Sequence, residues 1–325
     1  MTLRRIGITL GDPGGVGPEI VLKALAGDYE LPKADYVLFG SAPVLRAEEK
    51  ALGIHFDFGF LKPGIPKLSG SLTFREVPGS LRRVTKGAPA AKNGLESFRY
   101  FKAAVAEARE GNLQAIVTAP ISKSSWALAG ISWKGHTDYL SHFYRGVIMG
   151  FWSEKLKLAL LTHHVSLKDA LKKVKKDSLL GFFISLDRSL KKIRLGKFTL
   201  LVAGLNPHAG EGGLLGREET EEIAPAIKDA RRQGITISGP YPPDVVFRSA
   251  IGQPDTIVIA LYHDQGLIPF KLLAFDSGVN VSLGLPFVRT SPDHGTAFDI
   301  AGKNRADPHS LVEAIKLAAV LSRSV

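Results

Sequence analysis

The chain has 325 residues, of which 45% are hydrophobic and 22% charged, a composition typical of globular proteins. No apolar stretch approaches the roughly 20 residues of a membrane span, so we expect a cytoplasmic protein with no membrane partner. The absence of cysteine excludes disulfides, thiolate catalysis and cysteine-ligated zinc, and leaves histidines and carboxylates to bind any metal. The formal net charge of +11 suits an anionic small molecule better than nucleic acid, because the cations do not gather with aromatic residues along one element.

Apolar, strand-like runs alternate with helical patterns along the chain. The predicted strands are Ile6–Leu10, Tyr36–Phe39, Ala115–Thr118, Lys157–Leu161, Thr199–Ala203, Thr256–Ala260 and Asn280–Leu283. The predicted helices are Glu19–Ala26, Gly94–Glu110, Asp177–Lys192, Glu218–Gln233 and Ser310–Arg323. Such alternation predicts an α/β fold with largely parallel strands, and the chain length favours two lobes.

A glycine-rich segment, Gly11–Glu19, follows the first predicted strand and leads into a helix. Its spacing matches neither the dinucleotide-binding fingerprint nor a Walker A loop. Two interpretations stay open, a tight strand-to-helix turn and a loop that contacts a bound anion directly.

Three histidines lie a few residues after predicted strands: His164, His208 and His263. Ligands of open α/β sheets bind beyond the carboxyl ends of the strands, so these imidazoles are candidates for a catalytic divalent-metal site with an open position. The alternative for each is a hydrogen-bonded structural histidine. The residue pattern does not choose between His164 and its neighbour His163.

Other polar residues stand in apolar or loop contexts. Lys271 and Arg289 are suited to phosphate or carboxylate, although isolated surface cations are usually only solvated, and Asn280 begins an apolar strand. Thr137 is expected to cap a helix, which leaves the preceding His136 unexplained. The loop from Ser291 to Gly302 is long enough to wrap an adenosine, but it is also consistent with a plain turn.

Taken together these segments resemble the 4-hydroxythreonine-4-phosphate dehydrogenase family. They occur in the order of the family motifs and are Gly11–Glu19, Thr118–Lys123, Gly135–Asp138, Thr162–His164, Asn206–Gly213, Gly239–Asp244, Tyr262–Lys271 and Gly278–Gly302. The resemblance implies a two-lobed isocitrate/isopropylmalate-dehydrogenase-like α/β fold, with a largely parallel sheet in each lobe, the active site in the cleft between lobes, and a homodimer. We expect residues 1–125 and 265–325 to form the cofactor-side lobe, and residues 126–264 to carry the metal ligands and dimer contacts.

The resemblance also implies roles for individual residues. The implied metal ligands, shared across the dimer interface, are His164, His208 and His263. The implied substrate-binding residues are His136, Thr137, Lys271, Asn280 and Arg289. The implied cofactor-binding residues are His294, Gly295, Thr296, Ala297 and Asp299. His136 and Asp244 are the candidates for the catalytic proton acceptor.

The implied reaction is NAD(P)-dependent oxidation of 4-phosphooxy-L-threonine at its secondary alcohol, followed by decarboxylation to 3-amino-2-oxopropyl phosphate, in pyridoxal 5'-phosphate biosynthesis. Three imidazoles favour zinc, with magnesium, manganese or cobalt as alternatives. The choice between NAD and NADP stays open. The alternative functions are a threonate or erythronate 4-phosphate dehydrogenase of the same family and a phosphotransacetylase-like acyltransferase, which would need no three-histidine site.

Overall fold

The chain folds into two units, formed by Met1–Phe143 with Pro286–Val325 and by Tyr144–Leu285. The computed structural model describes residues 4–26, 29–55, 59–60, 72–79, 81, 84–193 and 196–322. Among these residues, no helix is both long enough and apolar enough to cross a bilayer.

The secondary structure of the described residues alternates between strands and helices. The strands are β1 (Arg5–Thr9), β2 (Asp35–Gly40), β3 (Gly59–Phe60), β4 (Leu72–Glu76), β5 (Ala115–Thr118), β6 (Ile148–Trp152), β7 (Lys157–Leu160), β8 (Thr199–Ala203), β9 (Ile237–Tyr241), β10 (Thr256–Ala260), β11 (Val279–Leu283) and β12 (Val288–Pro292). The helices are α1 (Gly17–Ala26), α2 (Ala42–Leu52), α3 (Ala91–Arg109), α4 (Lys123–Leu128), α5 (His136–Phe143), α6 (Leu167–Lys173), α7 (Lys176–Lys192), α8 (Ala224–Arg232), α9 (Pro243–Ala250), α10 (His263–Ala274) and α11 (His309–Leu321). A π-helical turn, Glu219–Ile223, precedes α8.

The first unit is built on parallel strands in the order β3–β4–β2–β1–β5–β12. Strand β5 is buried along its whole length, as its largely apolar sequence predicts for a strand covered on both faces. The carboxyl ends of β1, β5 and β12 therefore lie side by side, and the polar loops that follow them share one edge of the sheet.

The second unit has the strand order β11–β6–β7–β10–β8–β9, in which β7, β10, β8 and β9 are parallel. Strands β11 and β6 pair antiparallel with each other, and β6 pairs antiparallel with β7. A buried apolar cluster that includes Leu158, Val258 and Phe270 packs these strands against α9 and α10. The prediction of an α/β fold with largely parallel sheets is confirmed.

The seven predicted strands correspond to β1, β2, β5, β7, β8, β10 and β11. The predicted helices correspond to α1, α3, α7, α8 and α11, although Arg323, the predicted end of the last helix, lies outside the described residues. Helix α10 was not predicted, because Pro269 in its interior argues against a helix.

The chain passes from one unit to the other at residues 143/144 and 285/286, whereas the expected lobe boundaries were 125/126 and 264/265. Helices α4 and α5 belong to the first unit, where Trp126 lies edge-on to Phe98 of α3 at a centroid distance of 5.1 Å and donates to Ser97 Oγ at 2.9 Å. Helix α10 and β11 belong to the second unit, where Asn280 pairs with Phe151 of β6. These contacts join residues far apart in the chain, which local patterns do not reveal.

Candidate functional site

The three candidate metal ligands follow three neighbouring strands of the second unit. His164 comes after β7, His263 after β10 and His208 after β8, and these strands lie in the order β7–β10–β8. Because the three strands are parallel, all three histidines extend from the same edge of the sheet.

The structure brings His164 and His263 together. The ring centroids of His164 and His263 are 5.7 Å apart. The ring centroid of His163, a half-buried residue, lies 5.3 Å from that of His164. His263 Nδ1 lies 2.7 Å from Asp264 Oδ1. A carboxylate only accepts hydrogen bonds, so in the neutral imidazole Nδ1 carries the hydrogen and Nε2 keeps its lone pair. An imidazole held this way by a carboxylate is a typical metal ligand.

His208 is exposed and lies in the turn Pro207–Gly213, which we call the left-handed turn because His208, Ala209 and Glu211 have φ angles of 52°, 54° and 44°. Within the described part of one chain, no three His, Cys, Asp or Glu side chains form a group able to hold a metal ion. His208 therefore does not join the His164–His263 pair within a single chain.

The remaining candidates of the second unit lie on different elements. Asp244 is exposed in the first turn of α9, directly after β9. Lys271 is exposed near the end of α10, with its Nζ 6.0 Å from the centre of the Phe275 ring. Asn280 is 9% exposed on β11.

In the first unit, Arg289 forms the centre of a buried polar cluster. It lies on β12 with 3% exposure, in register with Ile116 of β5. Side chains two residues apart share a strand face, so Arg289 and Thr118 point the same way. Arg289 donates to Thr118 Oγ1 from Nη2 at 2.7 Å and from Nε at 3.2 Å. Burial lowers the pKa of Arg289 to about 9.

His136 is hydrogen-bonded to the same guanidinium. Its Nδ1 lies 3.2 Å from Arg289 Nη2, and since arginine has no acceptor, Nδ1 accepts and the proton resides on Nε2. Burial, and then the charge of Arg289, hold the pKa of His136 well below its ordinary value. The Nε2 atom is itself buried, without a hydrogen-bond partner among the described residues. The cluster thus offers one neutral N–H donor beside a cation.

Aromatic rings hold His136 in this position. Phe101 of α3 lies 4.5 Å from the imidazole centroid, and Trp126 of α4 lies 5.6 Å away, edge-on. Helix α5 begins at His136, so Thr137 is inside the helix rather than at its cap. The side chain that bonds to the loop before this helix is that of Asp138, whose Oδ2 accepts a hydrogen bond from Lys134 N at 2.9 Å.

The loop Gly11–Glu19 packs against the candidate cofactor loop. Val16 N donates to Thr296 O at 2.9 Å, and a Cβ on Gly15 would lie 2.7 Å from Thr296 Cβ. Glycine at this position thus has a packing reason, which favours the tight-turn interpretation. In this candidate cofactor loop, His294, Gly295 and Asp299 are exposed, and Ala297 has a φ of 41°, a strained value that often marks functional loops.

Sequence reasoning missed Thr118, Asp264 and Glu219 as functional candidates. Two of these residues carried a local signal in the sequence. Thr118 is a polar residue that ends a buried strand, and Asp264 is a carboxylate directly after the candidate ligand His263. Glu219 carried none, because it looked like an ordinary residue of the predicted helix Glu218–Gln233.

Comparison with known proteins gives a consistent result. The family model described as "Pyridoxal phosphate biosynthetic protein PdxA" matches residues 32–318. The 4-hydroxythreonine-4-phosphate dehydrogenase of Aquifex aeolicus is 42% identical over 320 residues, covering 97% of each chain. The D-threonate 4-phosphate dehydrogenase of Salmonella typhimurium is 39% identical over 336 residues, covering 99% of this chain and all of the relative.

Solved structures agree with the sequence relatives. The 1.25 Å crystal structure of 4-hydroxythreonine-4-phosphate dehydrogenase from Klebsiella pneumoniae superposes with a TM-score of 0.87 at 36% identity, covering 99% of this chain and 98% of that one. Family match, identity and fold together confirm the resemblance seen in the motifs. The chain belongs to the PdxA family of pyridoxal phosphate biosynthetic proteins, whose members are dehydrogenases.

Proposed function

We propose that this protein oxidises 4-hydroxythreonine 4-phosphate (4-phosphooxy-L-threonine) at its secondary alcohol with NAD(P) and releases carbon dioxide to leave 3-amino-2-oxopropyl phosphate. The observation that carries the proposal is the buried Arg289–His136 pair, in which the cation lies beside His136 Nε2, an N–H donor with no hydrogen-bond partner among the described residues. A phosphate or carboxylate oxygen of the substrate would accept from that N–H and carry a charge opposite to that of the neighbouring guanidinium.

The binding roles divide between charged and neutral groups. Arg289, fixed in direction by Thr118, and Lys271 neutralise substrate anions, while His136, Thr137 and Asn280 supply hydrogen bonds that orient the reacting carbon. The arrangement of His136 favours binding over proton abstraction, because Nδ1 already accepts from Arg289 and Nε2 carries hydrogen. Asp244 is therefore the proton acceptor that we would test first.

A divalent ion held by His164, His208 and His263 would supply the positive charge that favours loss of the alcohol proton. The His164–His263 pair and the Asp264 carboxylate behind His263 fit this role. His208 stands apart from them within one chain, which supports ligands shared between two subunits. Three neutral imidazoles favour zinc over magnesium, manganese or cobalt.

The oxidised nicotinamide cofactor, NAD or NADP, would supply the acceptor for hydride. We assign its binding to the loop that contains His294, Gly295, Thr296, Ala297 and Asp299. The open space at Gly295, where an added Cβ would meet nothing within 4 Å, and the exposed Asp299 carboxylate are compatible with a ribose or adenine in contact with this loop.

We further propose a homodimer. Helix α10 and Phe275, which directly follows it, expose three large apolar side chains: Ile268 is 61% exposed, Leu272 83% and Phe275 75%. Their spacing of four and three residues forms one apolar stripe, and stripes of this kind usually mark a protein interface. A second copy that covers the stripe would bring another set of histidines near the first.

A second candidate is the oxidation of D-threonate 4-phosphate, favoured by the relative from Salmonella typhimurium that matches over its full length. This substrate carries a hydroxyl where the amino acid carries an ammonium group. The two candidates predict the same motifs and the same binding of the phosphate, so the identity of the substrate has to be measured.

Steady-state assays that follow reduced nicotinamide absorbance and released carbon dioxide test the proposal. We expect turnover of 4-hydroxythreonine 4-phosphate with a higher kcat/KM than of D-threonate or erythronate 4-phosphate, and loss of turnover after metal removal that added zinc restores. Preference for a sugar-acid phosphate would favour the second candidate. The absence of nicotinamide reduction with any of these substrates would exclude both candidates, and full activity after metal removal would exclude the proposed role of the metal.

A further inference from the structure

The left-handed turn is energetically unusual. Four consecutive residues, His208, Ala209, Gly210 and Glu211, have φ angles of 52°, 54°, 77° and 44°, and Gly212 follows at 68°. Residues with a Cβ disfavour this region and normally enter it singly rather than in a run. Three of these four residues carry a Cβ, so the conformation requires support from outside the turn.

The carboxylate of Glu219 supplies that support. Its Oε1 accepts from the backbone N–H groups of Leu205 and Asn206, each at 2.7 Å, and its Oε2 accepts from Asn206 Nδ2 at 2.9 Å. Glu219 is 2% exposed, so these bonds to a charged acceptor are shielded from water. They fix the backbone immediately before His208.

Glycines surround this carboxylate and give it room. A Cβ on Gly210 would lie 2.6 Å from Glu219 Oε2, and a Cβ on Gly204 would lie 3.2 Å from Oε1. A Cβ on Gly216 would collide with the Asn206 amide. The position of the carboxylate and the path of the left-handed turn therefore depend on each other.

We infer that Glu219 is a positioning residue that holds His208 in place for metal binding. The inference rests on the proposed function, in which His208 is a metal ligand. Groups that orient a ligand are commonly as important for metal affinity as the ligand itself, and strained backbone at a functional site persists only when its surroundings hold it. The bonds of Glu219 to Leu205 and Asn206 are such a constraint.

The test compares Glu219→Gln with Glu222→Gln. Glu222 lies on the same π-helical turn and accepts hydrogen bonds of its own, from Lys175 Nζ at 2.8 Å and from Lys176 N at 2.7 Å. Neither of these donors belongs to the left-handed turn. Zinc affinity is measured by competition with a chromophoric chelator. We expect Glu219→Gln to weaken zinc binding by about 10- to 100-fold and Glu222→Gln to leave it within about threefold.

A second measurement needs no metal. In the metal-free protein, hydrogen exchange at the Leu205 and Asn206 amides is expected to be at least about tenfold faster in Glu219→Gln than in Glu222→Gln, since only the former loosens these bonds. Adding Ala209→Gly to Glu219→Gln is expected to recover part of the zinc affinity, because glycine adopts the left-handed conformation without the Cβ penalty. A purely global loss of stability would not be rescued in this way.

The outcomes separate the two proposals. If the wild-type protein binds no zinc, or if His208→Ala keeps it, the proposed metal site is wrong, while the exchange rates still report on the support of the turn. If the wild type binds zinc through His208 and Glu219→Gln binds it as tightly as Glu222→Gln, the positioning role is overturned. Should Glu219→Gln fail to fold, Asn206→Ala, which removes one of the three bonds, replaces it; unchanged zinc affinity there would also overturn the role.

Discussion

Arg289 combines a charged side chain with 3% exposure on a central strand. Burial removes water from the guanidinium, and the lowering of its pKa to about 9 expresses that cost. Thr118 and His136 fix the direction of the group but bring no negative charge. A buried cation beside the N–H donor of His136 is suited to binding an anion.

Replacing Arg289 with lysine is expected to weaken substrate binding. Lysine keeps the charge but cannot bond Thr118 through two nitrogens while also reaching His136. We expect KM for the phosphorylated substrate to rise at least about tenfold, with a smaller change in kcat, in steady-state assays. Arg232→Lys, at a side chain 68% exposed, is the control. Equal KM values in wild type and Arg289→Lys would remove Arg289 from the binding site.

His136 predicts a specific pH dependence of stability. Its pKa is far below 6.5 in the folded protein, because of burial first and Arg289 second, but close to 6.5 in the unfolded chain. Below pH 6.5 the unfolded chain therefore binds a proton that the folded protein does not, and stability falls by at most about 1.4 kcal/mol per pH unit as the pH decreases.

Thermal unfolding of wild type and His136→Gln between pH 5 and 8 checks this prediction. The two proteins share their other titrating groups, so the difference between their midpoints isolates His136. We expect the wild type to lose stability relative to His136→Gln as the pH falls below about 6.5. Parallel curves over the whole range would show that folding leaves the pKa of His136 unchanged, which would contradict the prediction.

At the scale of elements, the left-handed turn and the neighbouring strands β7, β10 and β8 have different requirements. The strands need only a largely apolar sequence and burial, with β-branched residues in β8 and β10. Two of the positive-φ positions of the turn, Gly210 and Gly212, are glycines, and each is glycine for a separate reason. Gly210 is crowded by Glu219, whereas a Cβ on Gly212 would meet nothing within 4 Å.

Alanine substitutions separate these two reasons. Gly212→Ala, at a φ of 68°, is expected to cost about 1–2 kcal/mol through backbone strain alone. Gly210→Ala, at a φ of 77°, adds a collision with a buried carboxylate and is expected to cost at least about 1 kcal/mol more. Chemical denaturation of the metal-free proteins measures both. Equal losses would mean that Glu219 moves aside without cost.

At the scale of the whole molecule, the two units differ in what they contribute. The first carries the buried Arg289–His136 cluster and the candidate cofactor loop, and the second carries the three histidines and the apolar stripe of α10. Of the residues that we propose for substrate binding, Lys271 and Asn280 are in the second unit and Arg289 is in the first.

Leu272→Asp tests whether the stripe on α10 forms a subunit interface. A charge at the most exposed position of the stripe would be buried without a partner in a dimer, so we expect sedimentation to show a shift from dimer to monomer. If the zinc ligands are shared between two subunits, zinc binding should weaken together with dimerisation. Leu128→Asp, at a residue 61% exposed in the first unit, is the matched control. A dimer that survives Leu272→Asp would place the interface elsewhere.

The amino-acid sequence by itself determined the features that depend on local patterns. Apolar runs such as Thr256–Ala260 predicted the buried parallel strands, and the position of His164, His208 and His263 after such strands predicted their shared edge. Ordered motifs along the chain indicated the family. Local signals suffice here because side-chain periodicity and the ends of strands are properties of consecutive residues.

Only the tertiary structure decided how the site groups are held. The bond between Arg289 and Thr118 joins residues 171 positions apart, and the protonation state of His136 follows from that same guanidinium and from burial by Phe101 and Trp126. The left-handed turn likewise depends on Glu219, which its own sequence context presents as an ordinary helical residue. Desolvation and long-range hydrogen bonds arise only when distant segments pack, so no local pattern contains them.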